Sequence, residues 1–176
     1  MRDRWLDEGL AVLADQGAKG VRVDRIAVRL GLTKGSFHHH FDGVDGYQQA
    51  LLGRYEAHSM EAIATAVSAV SALPPERALM ALPSHVPLDT RIDAAIRAWA
   101  VEHEGARVAQ ARIDAARLEA LVSLWRQILP DPAQARTAAL IPHLLMIGAS
   151  VARPGPSEEE LHQVFSLLAT LVPSVR

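Results

Sequence analysis

The chain of 176 residues is predicted to be all-α, and three observations carry that reading. Apolar residues recur at helical spacing along most of its length, and no stretch alternates with the period of two that a half-buried strand needs. Clusters of Gly and Pro cut the pattern into helix-sized pieces. Residues 23–41, V-D-R-I-A-V-R-L-G-L-T-K-G-S-F-H-H-H-F, then read as two short helices joined by a tight turn.

The first helix is expected over 2–15, where Leu6, Leu10, Leu13 and Ala14 form one stripe with Trp5, Gly9 and Val12 beside it. Two glycines within 16–20 end it. Ile26, Ala27 and Leu30 give the helix over 24–30 one apolar face. Gly31 suits the left-handed position at its end. Leu32 plugs the angle, and the Thr33 hydroxyl caps the next helix, over 34–40. Phe37 and Phe41 anchor that helix inward, leaving Lys34, Ser36, His38 and His39 facing out. After Asp42-Gly43, a long helix runs over 44–72, with Tyr47, Leu51, Tyr55, His58, Ala62 and Ile63 near helical spacing.

Pro74-Pro75 stops that helix. A short helix over 76–82 and a loop over 83–87 follow. The helix over 89–103 carries Ile92, Ile96, Trp99 and His103 on one stripe, and Gly105 interrupts the pattern. Asp114, Leu118, Leu121, Trp125 and Ile128 align along a helix over 106–129, broken by Pro130-Asp131-Pro132. Another spans 133–152 with a kink expected near Pro142. Ser157 and Glu160 then form a capping box for the last helix, which runs to about residue 172.

Composition narrows the function classes. At 49% hydrophobic the chain can bury a good core, yet no run of about 18 apolar residues is present to span a bilayer. The charged N-terminus lacks a secretory apolar segment, and zero cysteines exclude disulfides and thiolate metal sites, so a cytoplasmic protein is expected. Net charge is −2 overall, but residues 1–55 hold eight basic and seven acidic side chains, whereas the remainder holds ten and thirteen. The asymmetry favours a polyanion partner at the N-terminal end only weakly, so any such affinity has to come from local placement.

A helix-turn-helix can lay its second helix in a DNA major groove, and Lys, Ser and His suit phosphates and base edges. The order I-A-x-x-L-G-L-T-K-G-S-F-H-H-H-F resembles the DNA-binding segment of TetR/AcrR-type transcriptional regulators, whose pattern is I-A-x-x-A-G-V-S-K-G-T-L-Y-x-H-F. The resemblance is strong over residues 5–52 and covers the rest as general architecture. It implies a three-helix DNA-binding domain over 1–46 and a helical ligand-binding and dimerisation domain over 47–176. It also implies DNA contacts at Arg22, Thr33, Lys34, Gly35, Ser36, His38, His39 and His40. Three positions depart from the family pattern. His38 stands where Tyr is usual, Val44 where a phosphate-contacting Lys is usual, and Arg22 where a Thr cap is usual.

Other chemistry finds little support. Adjacent helical residues point about 100° apart, so His38, His39 and His40 do not converge on one metal ion, and no metal or cofactor is expected. Glu102-His103-Glu104 has no nucleophile or phosphate loop beside it, so no enzyme is expected. His103 and Asp114 sit on otherwise apolar stripes. They are either satisfied core polar groups, Asp114 through Arg117 at i, i+3, or the polar lining of an effector cavity walled by Trp99, Trp125 and Met146. His143 and Met60 are further candidates for that lining.

The helix over 133–152 shows two apolar stripes, Ala138, Ile141, Leu145, Ala149 and Ala152, and Leu140, Leu144, Ile147 and Val151. A monomer's surface helix needs one, so a two-fold homodimer through 133–152 and 157–172 is expected. The implied function is a ligand-responsive regulator, a repressor that a small apolar molecule releases from a pseudo-palindromic operator. The alternative is a helical small-molecule binding or scaffolding protein with a weakened DNA-binding head.

Overall fold

A computed structural model describes residues 1–85 and 90–170, and every described element is helical. The helices are α1 (Arg2–Gln16), α2 (Val23–Leu30), α3 (Lys34–His38), α4 (Gly43–Val70), α5 (Pro75–Ala81), α6 (Thr90–Ala100), α7 (Glu104–Trp125), α8 (Pro132–Val151) and α9 (Glu158–Thr170). Short 3-10 turns sit at Ala18–Gly20 and Leu82–His85. The chain forms two compact units, Met1–Ser59 with Asp89–Arg112, and Met60–Leu88 with Ile113–Arg176.

The first unit is built around an aromatic cluster. Trp5, Phe37, Phe41 and Tyr47 are all buried, and Phe37 meets the other three rings with centroids 5.2–5.4 Å apart. The Tyr47 hydroxyl donates to the Trp5 carbonyl at 2.7 Å, which ties α4 to α1. Gly9 permits that approach, because a Cβ there would collide with the Tyr47 hydroxyl. Burial, then the charge of Glu8, pushes the Tyr47 phenol well above its ordinary range. Ion pairs on the outside of this unit include Arg29 with Glu8, Arg54 with Asp7 at 2.9 Å, and Arg91 with Asp15 at 3.3 Å.

A buried polar network lies deeper in the same unit. The Asp93 carboxylate, 7% exposed, accepts from the Tyr55 hydroxyl at 2.8 Å and from Arg97 Nε at 2.8 Å. Gln110 Nε2 also lies 3.5 Å from it. A buried carboxylate costs several kcal/mol unless paired and hydrogen-bonded, and this one is both. The network joins α4, α6 and α7, and nothing in the local sequence around Tyr55 announces it.

In the second unit Val122, Trp125, Ile128, Ala135 and Ala139 form one buried cluster, and Val70, Ala78 and Leu124 another. Asp131 caps α8 by accepting from the Ala133 N–H at 2.9 Å. Ser157 and Glu160 make the expected reciprocal box at the start of α9. The amide of Ser157 holds the Glu160 carboxyl below the usual range.

Several boundaries differ from the sequence reading. Gly105 does not interrupt; it lies in the first turn of α7, and the break falls at 101–103. His103 explains the shift, since its Nδ1 accepts from the Ala106 N–H at 3.1 Å and caps the helix. Helix α3, expected over 34–40, ends at His38, and residues 39–40 form a turn that carries Phe41 inward. Leu82–His85 is a 3-10 turn where a loop is expected, and residues 86–87 lie outside the described residues. The expected end of the last helix, beyond Thr170, also falls outside them.

Candidate nucleic-acid interface

The turn between α2 and α3 is set by local chemistry. Gly31 adopts φ 65°, ψ 33°, a left-handed conformation open to Gly at little cost. The Leu32 N–H donates to the Ala27 carbonyl at 2.8 Å, and Gly31 N–H donates to Val28, a pattern that satisfies the last carbonyls of α2. Thr33 is extended, and its hydroxyl accepts from the Ser36 N–H at 3.4 Å. Phe37 then locks α3 into the aromatic cluster from its inner side.

The opposite side of α3 is presented to solvent. Lys34, Gly35, His38 and His39 are exposed, while Ser36 and His40 are half-buried. Lys34 has no ion pair among the described residues. A Cβ at Gly35 would meet only the Thr33 hydroxyl, at 3.6 Å, so the protein's own packing does not require glycine there. His38 rests edge-on against Phe37 at 5.4 Å, a contact that orients the ring of this exposed residue. His40 packs edge-on against Phe41 at 6.3 Å and belongs to the joint between α3 and α4. Among the described residues no three His, Asp, Glu or Cys side chains gather to hold a metal ion.

Arg22, just before α2, is exposed but paired with Asp24 at 3.1 Å, and the hydrogen bond holds the Asp24 carboxyl below its usual range. A phosphate contact by Arg22 therefore competes with Asp24. At the start of α4, Val44 is exposed between exposed Asp42 and Asp45. A hydrophobic residue there, flanked by two acids, cannot attract a phosphate.

The residues considered for an effector cavity fall in both units. Trp99 and His103 belong to the first and stack at 4.5 Å, with His103 engaged as a helix cap. Met60, Asp114, Trp125, His143 and Met146 belong to the second. There Asp114 is half-buried and pairs with Arg117 at 3.7 Å. Trp125 sits in the core cluster, and its indole N–H has no hydrogen-bond partner among the described residues, an unusual cost for a buried donor. His143 is buried on α8, and Met60 and Met146 are half-buried. Sequence reading did not find the Tyr55–Asp93–Arg97–Gln110 network; the i, i+4 spacing of Asp93 and Arg97 was its one visible trace.

Comparison with known proteins agrees with this geometry. Residues 6–45 match the family model described as bacterial regulatory proteins, tetR family. The fold over nearly the whole chain is similar to that of a transcriptional regulator from a Rhodococcus species, with a TM-score of 0.76 at 21% identity, covering 97% of this chain and 95% of that one. It is likewise similar to the reduced form of E. coli NemR, with a TM-score of 0.77 at 16% identity over 98% and 97% of the two chains. A third similar structure is the multidrug binding protein EbrR complexed with imidazole, with a TM-score of 0.60 at 20% identity over 99% and 96%. No curated protein matches the sequence.

Proposed function

From the premise that the N-terminal domain belongs to the tetR family of bacterial regulatory proteins, with a regulator-like fold throughout, we propose a sequence-specific, ligand-responsive DNA-binding regulator. The observation that carries this reading is α3. Its inner side is fixed by Phe37 in a rigid aromatic cluster, and its outer side offers Lys34, Gly35, His38 and His39 with no carboxylate partner among the described residues. Such a helix can enter a major groove without losing internal contacts. Lys34 and His39 donate to base edges or phosphates, Ser36 and Thr33 hold the first turn, and Gly35 allows close approach of the backbone.

The chain works as a repressor that binds a pseudo-palindromic operator as a two-fold homodimer, in the cytoplasm where the DNA is. Support for the dimer comes from exposed apolar side chains on the last two helices. Ile141, Leu144 and Val151, 54%, 58% and 51% exposed, line one side of α8 around exposed Gly148. Leu167 and Val164 add to this on α9. Burying the exposed part of these five side chains on two copies contributes on the order of 10 kcal/mol gross, comparable to the cost of association. A small, mostly apolar effector taken up by the C-terminal region shifts the population toward a state whose two heads no longer fit successive grooves. EbrR, by its name a multidrug binding protein, makes a small-molecule effector reasonable for this fold.

One observation favours a second reading. Val44, Asp42 and Asp45 weaken the phosphate contact at the start of α4, as in a helical binding or scaffolding protein whose DNA-binding head has lost its partner. A gel-shift with the DNA upstream of the protein's own gene separates the two. A discrete, salt-sensitive complex supports the regulator, and no complex at low salt supports the scaffold.

A further inference from the structure

The basic side chains of the first unit are not equivalent. Arg22 is paired with Asp24, Arg29 with Glu8, and Arg54 with Asp3 and Asp7. Arg2, Arg4, Lys19, Arg25 and Lys34 have no carboxylate partner among the described residues, and Arg25 is engaged by the Gln16 amide. Lys34 is on α3. Arg2 and Arg4, both exposed, are on the first turn of α1, which Trp5 fastens to α3 through its contact with Phe37.

Each of these two arginines is tethered beside one end of α3. The Arg4 guanidinium donates to the Leu30 carbonyl at 3.4 Å, at the end of α2 and three residues before the Thr33 cap. The Arg2 guanidinium stacks over the Phe41 ring, 5.4 Å from its centroid, three residues past the last residue of α3. Asp3 lies between them in sequence, but its carboxylate faces Arg54 at 3.6 Å. A guanidinium held by a ring face, or by one carbonyl and the Met1 sulfur as Arg4 is, keeps most of its five N–H donors free, and its planar fork matches two phosphate oxygens. Arg2 also places positive charge beside the start of α4, where Val44, Asp42 and Asp45 provide none.

We propose that the DNA interface extends from α3 onto the first turn of α1, with Arg2 and Arg4 each taking a phosphate of the duplex backbone on either side of the recognition helix. The proposal rests on the reading of α3 as that helix. Phosphate contacts position a protein without reading sequence, so their loss weakens every duplex alike.

The test uses the full chain, a duplex from upstream of its own gene and a mixed-sequence duplex, titrated at several salt concentrations. Arg2→Gln and Arg4→Gln should each weaken binding to both duplexes by a similar factor and each lower the slope of log affinity against log salt by about one. Arg2→Lys with Arg4→Lys should keep the slope. Lys34→Ala serves as the control for α3. Wild-type affinity and slope in a variant combining Arg2→Gln and Arg4→Gln, with Lys34→Ala impaired, would overturn the α1 extension and leave the α3 reading intact. Equal losses in the Lys and Gln variants together with a lower melting temperature would also overturn it, in favour of a structural role. A wild-type protein that binds neither duplex would remove the underlying reading and the extension with it.

Discussion

Gly9→Ala tests the packing that holds α1, and with it Trp5 and α3, against α4. In an isolated helix the change stabilises by about 1 kcal/mol, because Ala loses less backbone freedom than Gly on folding. Here the new methyl would overlap the Tyr47 hydroxyl and lie 2.9 Å from Leu51 Cδ1 and 3.1 Å from Tyr47 Cζ. Tyr47 and Leu51 are buried and cannot swing to solvent. Forcing them aside costs about 1–3 kcal/mol in overpacking. Displacing the Tyr47 hydroxyl from the Trp5 carbonyl, 2.7 Å away, costs about 1–3 kcal/mol more. The net expectation is a destabilisation of about 1–5 kcal/mol, opposite in sign to the propensity term. Urea denaturation at equilibrium reads it directly. Adding Tyr47→Phe removes the clashing oxygen, so the double variant should lose less than the sum of the singles by more than about 1 kcal/mol. A Gly9→Ala protein as stable as wild type, or simple additivity in the double variant, would refute this packing.

Three further outcomes follow from particular side chains. Tyr47 has a folded-state pKa raised above its ordinary value by burial and by Glu8, so its contribution is intact below pH 10 and is lost as pH rises above it; stability should fall by about 1.4 kcal/mol per pH unit there, and Tyr47→Phe should remove that part of the slope in alkaline urea titrations. Asp93→Ala leaves the half-buried Arg97 guanidinium without this carboxylate and should cost about 3–5 kcal/mol, against about 1–2 kcal/mol for Tyr55→Phe, as measured by denaturation. Leu144→Glu alters a side chain that is 58% exposed in the single chain, so it should keep the helical circular dichroism while light scattering reports a monomer in place of a wild-type dimer; an unfolded variant would mean that Leu144 is core.

The helix-turn-helix was legible because each device that makes it is local. The αL glycine, the Thr33 cap and the two phenylalanines lie within eleven residues of one another, and the structure places all of them as the spacing predicts. Long-range pairing left no such mark. Tyr55 meets Asp93 across 38 positions and Gln110 across 55, and no periodicity encodes either contact. The break before α7 was misplaced because glycine is the strongest local breaker, whereas a histidine cap outweighs it here. On α8 the sorting into two stripes also changes. Ile141, assigned with Ala149, turns outward with Leu144 and Val151, while Ala135, Ala139, His143 and Ala149 are buried. Small residues admit a close neighbour, so burial follows them in preference to the larger aliphatics. For the effector, sequence could nominate Trp99, His103, Asp114 and Trp125 by their place on apolar stripes, but not distinguish a cap or an ion pair from a ligand contact.

The central claim is that the outer side of α3 binds DNA, and Lys34→Ala and His39→Ala address it most directly. Both residues are exposed, so each variant should keep its melting temperature, with stability changed by less than about 0.5 kcal/mol. Fluorescence anisotropy with the duplex from upstream of the gene, at fixed salt, should show binding weakened by about 1–3 kcal/mol for a variant that loses a base contact. Wild-type affinity in both folded variants would contradict the assignment of α3 as the recognition helix.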